Sequence, residues 1–168
     1  LAARILIDSG ATCLGCLVPR KKTFSVSGRA KAFFSAAASE GLPTEVLYAE
    51  DQGYEDARIG INETDRAIFG RIDGLFCSTD LMAIGALDAL RIDLSIAVPE
   101  QIQVLGFDDI EQANWGSFNL STIRQDVDAQ TYTVVRLLKE RIADNTLANR
   151  VERQRLTVVL RGTTLHDG

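Results

Sequence analysis

Short runs of apolar residues alternate along this chain with longer segments in which apolar residues recur every three or four positions. Such runs are typical of buried strands, and the periodic segments are typical of amphipathic helices. Buried strands are predicted at residues 13–18, 45–48, 72–77 and 102–107. Helices are predicted at residues 1–9, 28–40, 54–69, 80–90 and 127–143. Strands that alternate with helices in this order predict a Rossmann-like α/β fold, with a mainly parallel sheet, flanking helices and right-handed crossovers.

Two segments differ from the other predicted strands and helices in their pattern of apolar residues. The predicted helix from Asp80 to Leu90 is apolar on almost every side, which indicates that it is buried on more than one face. The sheet covers one face, and a second subunit or domain is the candidate for the other. Near the end of the chain, apolar and polar residues alternate from Gln154 to Leu160, which predicts an edge or antiparallel strand.

Hydroxyl and carboxylate side chains stand where the third and fourth predicted strands end. They are Ser78, Thr79 and Asp80 after one strand, and Asp108 and Asp109 after the next. In an open parallel sheet, ligands bind outside the carboxyl ends of the strands. A small-molecule site is therefore predicted at this edge, although its chemistry does not follow from these residues alone.

Arg29 falls in the first turn of the helix that is predicted from Gly28 to Glu40. The helix macrodipole disfavours a cation at that position. This conflict leaves two interpretations open. Arg29 has a polar partner, such as a ligand at the sheet edge, or it is a solvated arginine on an exposed helix face.

Composition and charge restrict the possible classes of function. The 168 residues suffice for one domain with its own core, 46% of them are hydrophobic, and the net charge is −5. A nucleic-acid-binding protein normally carries a basic patch, whereas the densest basic cluster here, Arg20 to Lys22, is typical of a solvated loop. No apolar run is long enough to span a bilayer, and the first residues do not form a signal peptide. The chain begins without Met inside a helical pattern, which indicates a portion of a longer protein.

The three cysteines indicate neither a disulfide framework nor a metal site. Their odd number favours a reducing compartment. Cys13 and Cys16 have the spacing of a redox motif, but they fall inside a predicted strand, where cysteine serves as a small apolar residue. The only histidine, His166, lies near the end of the chain, so a zinc site is not expected.

An enzyme is a further alternative, because consecutive acids such as Asp108 and Asp109 can hold Mg²⁺ in phosphoryl chemistry. The sequence contains no Gly-rich phosphate loop, no Ser–His or Cys–His arrangement and no suitably placed His or Lys partner. We therefore expect no catalytic activity, no metal and no cofactor.

From residue 75 onwards the sequence resembles the C-terminal half of the lactose-repressor (LacI) family of transcription regulators. The resemblance is carried by four motifs that occur in the family's order, at residues 77–90, 98–110, 120–126 and 159–164. Their sequences are CSTDLMAIGALDAL, VPEQIQVLGFDDI, LSTIRQD and VLRGTT. Weaker similarity continues back to the first residue through residues 28–33 and 53–55, so the resemblance covers essentially the whole chain.

This resemblance implies the type I fold of periplasmic binding proteins, in which an effector binds in the cleft between two α/β subdomains. Residues 1–119 and 151–168 would belong to the C-terminal subdomain, and residues 120–150 would cross to the N-terminal subdomain. The helix-turn-helix head that binds operator DNA would lie outside the chain. The implied function is that of the effector-sensing and dimerisation module of a cytoplasmic repressor, in which a small sugar or similar polar metabolite controls operator binding allosterically.

The resemblance also implies a set of ligand contacts. Arg29 and Asp108 match the family's main ligand-binding arginine and aspartate, and their donors and acceptors suit hydroxyl groups. Ser25 matches a polar contact position, and Tyr48 matches an aromatic position that stacks on the ligand. Thr79 stands where the family usually has Asn, a departure that removes the amide donor and acceptor from that position.

Family dimers pair through the face that bears the helix after Asp80. The resemblance therefore implies that Leu81, Ile84 and Trp115 lie at or near a homodimer interface, although the interior of the subdomain is an equal alternative for Leu81 and Ile84.

The alternative function is that of a periplasmic sugar- or solute-binding protein of the same fold. The free cysteines and the close match of the motifs at 98–110 and 120–126 argue against it.

Overall fold

The computed structural model describes residues 1–21 and 23–165. The α-helices are α1 Ala2–Asp8, α2 Phe24–Ser39, α3 Tyr54–Glu63, α4 Arg66–Phe69, α5 Asp80–Asp88 and α6 Val127–Ala143. The strands are β1 Leu14–Pro19, β2 Thr44–Ala49, β3 Gly74–Cys77, β4 Gln103–Leu105, β5 Thr122–Gln125 and β6 Leu156–Val159. A π-helical turn at Ala89–Asp93 continues α5, and a 3₁₀ turn at Glu111–Asn114 follows β4.

Four parallel strands form the central sheet in the order β2-β1-β3-β4. β5 and β6 form a separate antiparallel pair. Two isolated parallel bridges, from Leu105 to Ser121 and from Asp108 to Arg124, place the segment that contains β5 beside β4. The predicted α/β fold with a mainly parallel sheet is therefore confirmed, and the alternating segment near the end of the chain forms the expected antiparallel strand.

Helices cover both faces of the central sheet. One core cluster contains Leu17 of β1 and Leu75 of β3 together with the inner faces of α3 and α5. The other contains Cys16 of β1 and Phe76 of β3 together with the inner faces of α1 and α2. Because both faces are covered, every residue of β1 and β3 is buried, which explains their continuous apolar runs.

Helix α2 begins at Phe24, so the predicted start at Gly28 is wrong. Thr23 caps the helix, since its hydroxyl accepts a hydrogen bond from the Val26 amide at 3.5 Å. Residues 24–27, which precede the predicted start, form the first turn of the helix, and Val26 within it is buried. Arg29 therefore lies in the second turn, where the expected conflict with the helix macrodipole does not arise.

The single helix predicted over residues 54–69 is divided into α3 and α4. Thr64 has extended backbone angles, with φ −68° and ψ 138°. The Asp65 carboxylate then caps α4 by accepting a hydrogen bond from the Ala67 amide at 3.0 Å. A capping side chain of this kind competes with continuation of the helix, and the spacing of apolar residues does not reveal it.

The cysteines occupy apolar positions in and beside the central strands. Cys16 and Cys77 are buried, and burial raises the pKa of the Cys16 thiol to about 12. Cys13 lies just before β1, and burial likewise raises its pKa. Protonated thiols are poor nucleophiles, in agreement with the interpretation of the C-x-x-C spacing as structural.

Among the described residues, no group of His, Cys, Asp and Glu side chains is arranged to hold a metal ion. No helix in the same part of the chain is long and apolar enough to cross a membrane. In the basic cluster, Lys21 lies 3.4 Å from Asp51 and 4.0 Å from Glu50. Lys22 and His166 lie outside the described residues.

Candidate ligand-binding site

The carboxyl ends of the four parallel strands meet at one edge of the central sheet. β3 leads into Ser78 and Thr79, and β4 leads through Phe107 into Asp108. Helix α2 follows β1 and carries Arg29. Arg29 and Asp108 are 79 residues apart in the sequence, and the structure brings them into contact at this edge.

Arg29 and Asp108 form an ion pair. Arg29 Nη2 donates a hydrogen bond to Asp108 Oδ1 at 3.2 Å, and Nη1 donates to the Ser78 carbonyl oxygen at 2.8 Å. The guanidinium carbon also lies 3.8 Å from the centroid of the Phe107 ring, in a cation–π arrangement. The two charged side chains are 18% and 30% exposed. The protein thus orients the pair but leaves it open to a ligand, and Arg29 is not a freely solvated arginine.

The backbone at Asp108 and Asp109 adopts positive φ angles of 125° and 60°. Residues other than glycine rarely adopt such angles, which cost about 1–3 kcal/mol each and are concentrated at functional sites. The Asp108 amide donates a hydrogen bond to the Ile123 carbonyl oxygen at 2.9 Å, which holds this turn beside β5. The turn gives the two neighbouring carboxylates different partners.

Gln125 joins the ion pair, although the sequence did not single it out. Its Nε2 donates to Asp108 Oδ1 at 2.7 Å, and Gln130 Nε2 donates in turn to Gln125 Oε1 at 3.2 Å. Asp108 Oδ1 therefore accepts two hydrogen bonds, whereas Oδ2 accepts none from the residues that the structure describes. The available signal was the motif at residues 120–126, which contains Gln125.

The electrostatic setting of Asp108 is mixed. Burial raises the pKa of its carboxyl, and the charge of Arg29 and the hydrogen bond from Gln125 only partly offset this effect. Hydrogen bonds to a partly desolvated carboxylate are stronger than those made in bulk water, because the local dielectric is lower. Asp108 Oδ2 is therefore a strong acceptor for a ligand hydroxyl.

Asp80 holds this edge together from the interior. The residue is fully buried, and its carboxylate accepts hydrogen bonds from Thr122 Oγ1 at 2.5 Å and from the Ile110 amide at 2.9 Å. Burial raises the pKa of Asp80, and these hydrogen bonds oppose the shift. Only glycine fits at position 106, because a Cβ there would lie 2.2 Å from Asp80 Oδ1. Asp80 thus fixes the loop after β4 relative to α5 and β5.

Two other predicted ligand contacts lie at the starts of helices on this edge. Thr79 caps α5, with its Oγ1 accepting a hydrogen bond from the Met82 amide at 3.3 Å. Ser25 is exposed in the first turn of α2, with its Oγ 3.4 Å from Thr23 Oγ1. Neither side chain is hydrogen-bonded to the Arg29–Asp108 pair within the described residues, and their binding roles stay predictions.

Tyr48 lies near the carboxyl end of the edge strand β2 and is partly exposed. The guanidinium carbon of Arg20 lies 4.7 Å from the centroid of its ring. A ligand that stacks on Tyr48 would therefore use the other face of the ring or displace Arg20. The stacking role of Tyr48 also stays a prediction.

An apolar cavity of about 320 Å³ opens beside Arg29. Its lining includes Phe33, Phe76, Phe107, Ile123 and Leu156. The rings of Phe33 and Phe76 are stacked, with centroids 5.1 Å apart. The candidate site thus combines a few oriented polar groups with an apolar wall, as small-molecule sites commonly do.

The three candidate dimer residues differ in exposure. Leu81 and Trp115 are 44% and 49% exposed, whereas Ile84 is 3% exposed and belongs to the core cluster that contains the inner faces of α3 and α5. The Trp115 ring is stacked near that of Phe118, with centroids 6.4 Å apart. Leu81 and Trp115 are therefore open to a second subunit, while Ile84 takes the interior position that the sequence left as the alternative.

Helix α6 presents an apolar face to solvent. None of its residues is buried, although an amphipathic helix normally buries its apolar side. The exposed apolar side chains include Tyr132, Val134, Val135, Leu138 and Ile142. A cavity of about 350 Å³ lies between this helix and residues 147–150. Within the described part of the chain, no element covers this face.

Residues 3–164 match the family model of the periplasmic binding protein-like domain. The chain is also similar to the HTH-type transcriptional repressor PurR of Vibrio parahaemolyticus, with 30% identity over 164 residues. The alignment covers 97% of this chain and 49% of the repressor, so the chain spans about half the length of that relative.

Several solved structures have the same fold. A LacI-type transcription regulator from Bifidobacterium animalis superposes with a TM-score of 0.79 at 26% identity, over 96% of this chain and 61% of that structure. The CelR–cellobiose complex gives a TM-score of 0.84 at 24% identity, over 96% and 50% of the two chains. A LacI-family regulator from Enterococcus faecium with bound ribose gives 0.81 at 21% identity, over 97% and 60%. Since the family model spans nearly the whole chain, the chain belongs to the periplasmic binding protein-like domain family.

Proposed function

We propose that this chain is the effector-binding part of a LacI-type transcription regulator, and that it binds a small sugar or similar polar metabolite at the Arg29–Asp108 pair. The pair carries the proposal, because it is an oriented donor and acceptor at the carboxyl edge of a parallel sheet, where ligands of such folds bind. The similarity to a transcriptional repressor, and to regulators solved with cellobiose and ribose, supports this function.

The free hydrogen-bonding groups suit a polyhydroxylated ligand. Asp108 Oδ2 can accept from one hydroxyl, while Arg29 retains unused N–H donors for another. Two adjacent sugar hydroxyls, each of which both donates and accepts, would match this arrangement. The apolar cavity beside Arg29 would contact the C–H face of the ring. Ser25, Tyr48 and Thr79 would complete the site around the same ligand.

The full-length protein would contain a second subdomain that closes over this edge. Residues 1–119 and 151–168 would form one subdomain, and residues 120–150 would cross to the other. The uncovered apolar face of α6 supports this division, because a partner outside the chain would bury it. β5 would lead out of the first subdomain and β6 would return to it, and we refer to this antiparallel pair as the crossing strands.

A homodimer would form through the exposed surface around Leu81 and Trp115, with Ile84 beneath it. Sedimentation of the full-length Leu81→Glu variant tests this interface. Ile59→Glu is the matched control, because Ile59 is a similarly exposed apolar residue on α3. We expect Leu81→Glu to sediment as a monomer and Ile59→Glu to sediment like the wild type. A Leu81→Glu dimer would place the interface elsewhere.

Regulation would follow from ligand binding between the two subdomains. A ligand that contacts both subdomains favours the closed arrangement only to the extent that it binds that arrangement better. The shift would then change the affinity for operator DNA through a DNA-binding head outside this chain. Such a regulator acts in the cytoplasm, and its function involves no catalytic step and no cofactor.

A thermal-shift screen of the full-length protein against ribose, cellobiose, other sugars and nucleobases tests the proposal. A ligand present at 100 times its Kd stabilises the folded protein by about 2.7 kcal/mol, which raises Tm measurably. Arg29→Ala should abolish the shift produced by the best ligand. Arg58→Ala, which removes an ion pair with Asp93 on another surface, should leave that shift unchanged. A shift that survives Arg29→Ala refutes the site, and no shift with any ligand refutes the sensing function.

A further inference from the structure

Asp109 connects the proposed ligand site to both crossing strands. It follows Asp108 directly, yet its carboxylate has a separate set of partners. Arg124 Nε donates to Asp109 Oδ2 at 2.5 Å, and Arg161 Nη2 donates to Oδ1 at 2.8 Å. Arg124 belongs to β5, and Arg161 lies shortly after the end of β6. One carboxylate therefore holds the strand that leaves this subdomain and the segment that returns to it.

These contacts are strong and partly shielded from water. The side chains of Asp109 and Arg161 are 6% and 12% exposed, whereas that of Arg124 is half exposed. Arg161 is fixed by a second hydrogen bond, from Nη1 to the Leu120 carbonyl oxygen at 2.8 Å. Hydrogen bonds between ionised partners are roughly twice as strong as those between neutral ones. The three side chains therefore form a well-defined unit, which we call the Asp109 triad (Asp109, Arg124 and Arg161).

The triad is intact at neutral pH. Burial is the largest single influence on the Asp109 carboxyl and would raise its pKa. The hydrogen bonds and charges of Arg161 and Arg124 together outweigh burial, so the pKa of Asp109 lies below its ordinary value. Asp109 is thus a carboxylate wherever the protein is expected to function, and it keeps both guanidiniums.

The backbone transmits displacements from Asp108 to the triad. Asp108 and Asp109 are consecutive residues with positive φ, a region in which residues other than glycine have few alternative conformations. The Asp108 amide is also bonded to the Ile123 carbonyl oxygen, next to Arg124 in the chain. A ligand that shifts the Asp108 carboxylate would therefore also shift Asp109 and, through it, the side chain of Arg124.

The start of β5 is anchored in the interior, whereas its last two residues, Arg124 and Gln125, are held by Asp109 and Asp108. The Thr122 hydroxyl donates to the buried Asp80 carboxylate at 2.5 Å, and the Ser121 amide donates to Thr163 Oγ1 at 2.8 Å. Ile123 is buried, whereas Arg124 is exposed. A change in the angle between subdomains would therefore act at the end of β5, where Arg124 contacts Asp109.

We propose that Asp109 is a positioning residue that couples ligand occupancy at Asp108 to the angle of the crossing strands. It would not contact the ligand itself but would act through Arg124 and Arg161. This inference rests on the proposed function, because it requires a ligand at the Arg29–Asp108 pair.

Asp109→Asn in the full-length protein tests the coupling role. Asn has the same size and tolerates a positive φ, but it lacks the charge and the second acceptor oxygen that the two arginines require. Asp93→Asn is the matched control. Asp93 accepts hydrogen bonds from Arg58 Nε and Nη2, both at 2.9 Å, on the surface between α3 and the π-helical turn. The control makes the same chemical change in a bidentate ion pair away from the crossing strands.

The measured quantity is the coupling factor, which is the fold change in operator affinity that the sugar causes, in either direction. The operator is selected from a random DNA pool with the wild-type protein, and the sugar is the one that gives the largest thermal shift. Allosteric coupling factors typically lie between about 5 and 150. We expect Asp109→Asn to bind the sugar with an affinity close to that of the wild type while its coupling factor falls towards 1. Asp93→Asn should keep the wild-type factor.

Three results would overturn the inference. An unchanged coupling factor in Asp109→Asn shows that the triad does not transmit the signal. Loss of sugar binding in Asp109→Asn shows that the residue belongs to the ligand site itself. Absence of any sugar response in the wild type refutes the proposed function and the inference with it, whereas the first two results leave the proposed function intact.

Arg124→Gln keeps the test decisive if Asp109→Asn does not fold. The Arg124 side chain is half exposed, so its replacement leaves Asp109 bonded to Arg161. A partly reduced coupling factor is expected, and a wild-type factor in this variant also overturns the inference.

Discussion

Removal of the Asp80 carboxylate should strongly destabilise the protein, because internal hydrogen-bond donors depend on it. In Asp80→Ala, Thr122 Oγ1 and the Ile110 amide lose the acceptor that they contact at 2.5 and 2.9 Å. A buried donor without a partner costs about 1–3 kcal/mol, so the two together cost about 2–6 kcal/mol in the free energy of unfolding. Because a typical domain is stable by about 5–15 kcal/mol, the variant should fold but melt well below the wild type.

Asp80→Asn separates the charge of the carboxylate from its hydrogen bonds. Burial raises the pKa of Asp80 in the folded protein above its value of 3.8 in the unfolded chain. The folded state therefore binds the proton of Asp80 more tightly than the unfolded chain does. Proton binding stabilises the folded state fully at a pH below the pKa of the unfolded chain, and this stabilisation is lost as the pH rises through the pKa of the folded protein. Wild type should accordingly gain stability relative to Asp80→Asn as the pH is lowered from neutral towards the unfolded pKa.

Urea unfolding of the full-length protein, at pH values from neutral down towards the unfolded pKa of 3.8, measures both effects. Glu63→Ala is the control, because Glu63 is an exposed acid at the end of α3 and should change the free energy of unfolding by less than about 0.5 kcal/mol. An Asp80→Ala variant that loses less than about 1 kcal/mol would refute the role of Asp80 as an internal acceptor. Parallel pH profiles for wild type and Asp80→Asn would refute the raised pKa.

Three further predictions concern packing, reactivity and binding. Gly60→Ala should lower the free energy of unfolding by about 1–3 kcal/mol, because its Cβ would lie 2.2 Å from the Tyr48 carbonyl oxygen. Gly28→Ala has open space around its Cβ and should raise the free energy of unfolding by about 0.5–1 kcal/mol. Urea unfolding compares the two variants, and equal effects would contradict the close approach of α3 to β2. Cys16 should resist a thiol reagent in the native protein, since burial raises its pKa to about 12, and mass spectrometry that finds rapid labelling would contradict its position inside β1. Gln125→Ala should raise the Kd for the sugar about fivefold, which corresponds to about 1 kcal/mol, because Asp108 loses a hydrogen bond that orients it. Calorimetry measures the Kd, and an unchanged value would place Gln125 outside the site.

The central sheet and its covering helices could be predicted from the sequence, because the pattern of apolar residues reports which faces of each strand and helix are buried. β1 and β3 are covered on both faces and are therefore continuous apolar runs. Helix α6 occupies the predicted residues 127–143, since its apolar positions recur regularly. The predicted boundaries that were wrong depend on single side chains. Thr23 starts α2 early and Asp65 starts a separate helix, each through one capping hydrogen bond.

The residues of the candidate site could be predicted only in part. Arg29 and Asp108 were found through their motifs, but their partners depend on contacts between distant elements. Gln125 approaches Asp108 only because β5 passes beside the end of β4. Likewise, α5 is apolar on nearly all sides, so only its packing against α3 shows that Ile84 faces the interior and Leu81 faces outward.

The consecutive acids Asp108 and Asp109 show why a sequence pattern does not define chemistry. Two adjacent carboxylates after a strand suit Mg²⁺ ligation, yet each is engaged by at least one arginine, and a metal ion would have to displace those guanidiniums. The pKa of Asp108 is raised and that of Asp109 is lowered, although the two residues are chemically identical neighbours. This difference arises because the positive-φ turn directs one carboxylate to a partly open pair and the other between two arginines. The pattern is therefore better explained by one acid that is available to a ligand and one that holds the crossing strands than by a pair that shares a catalytic metal.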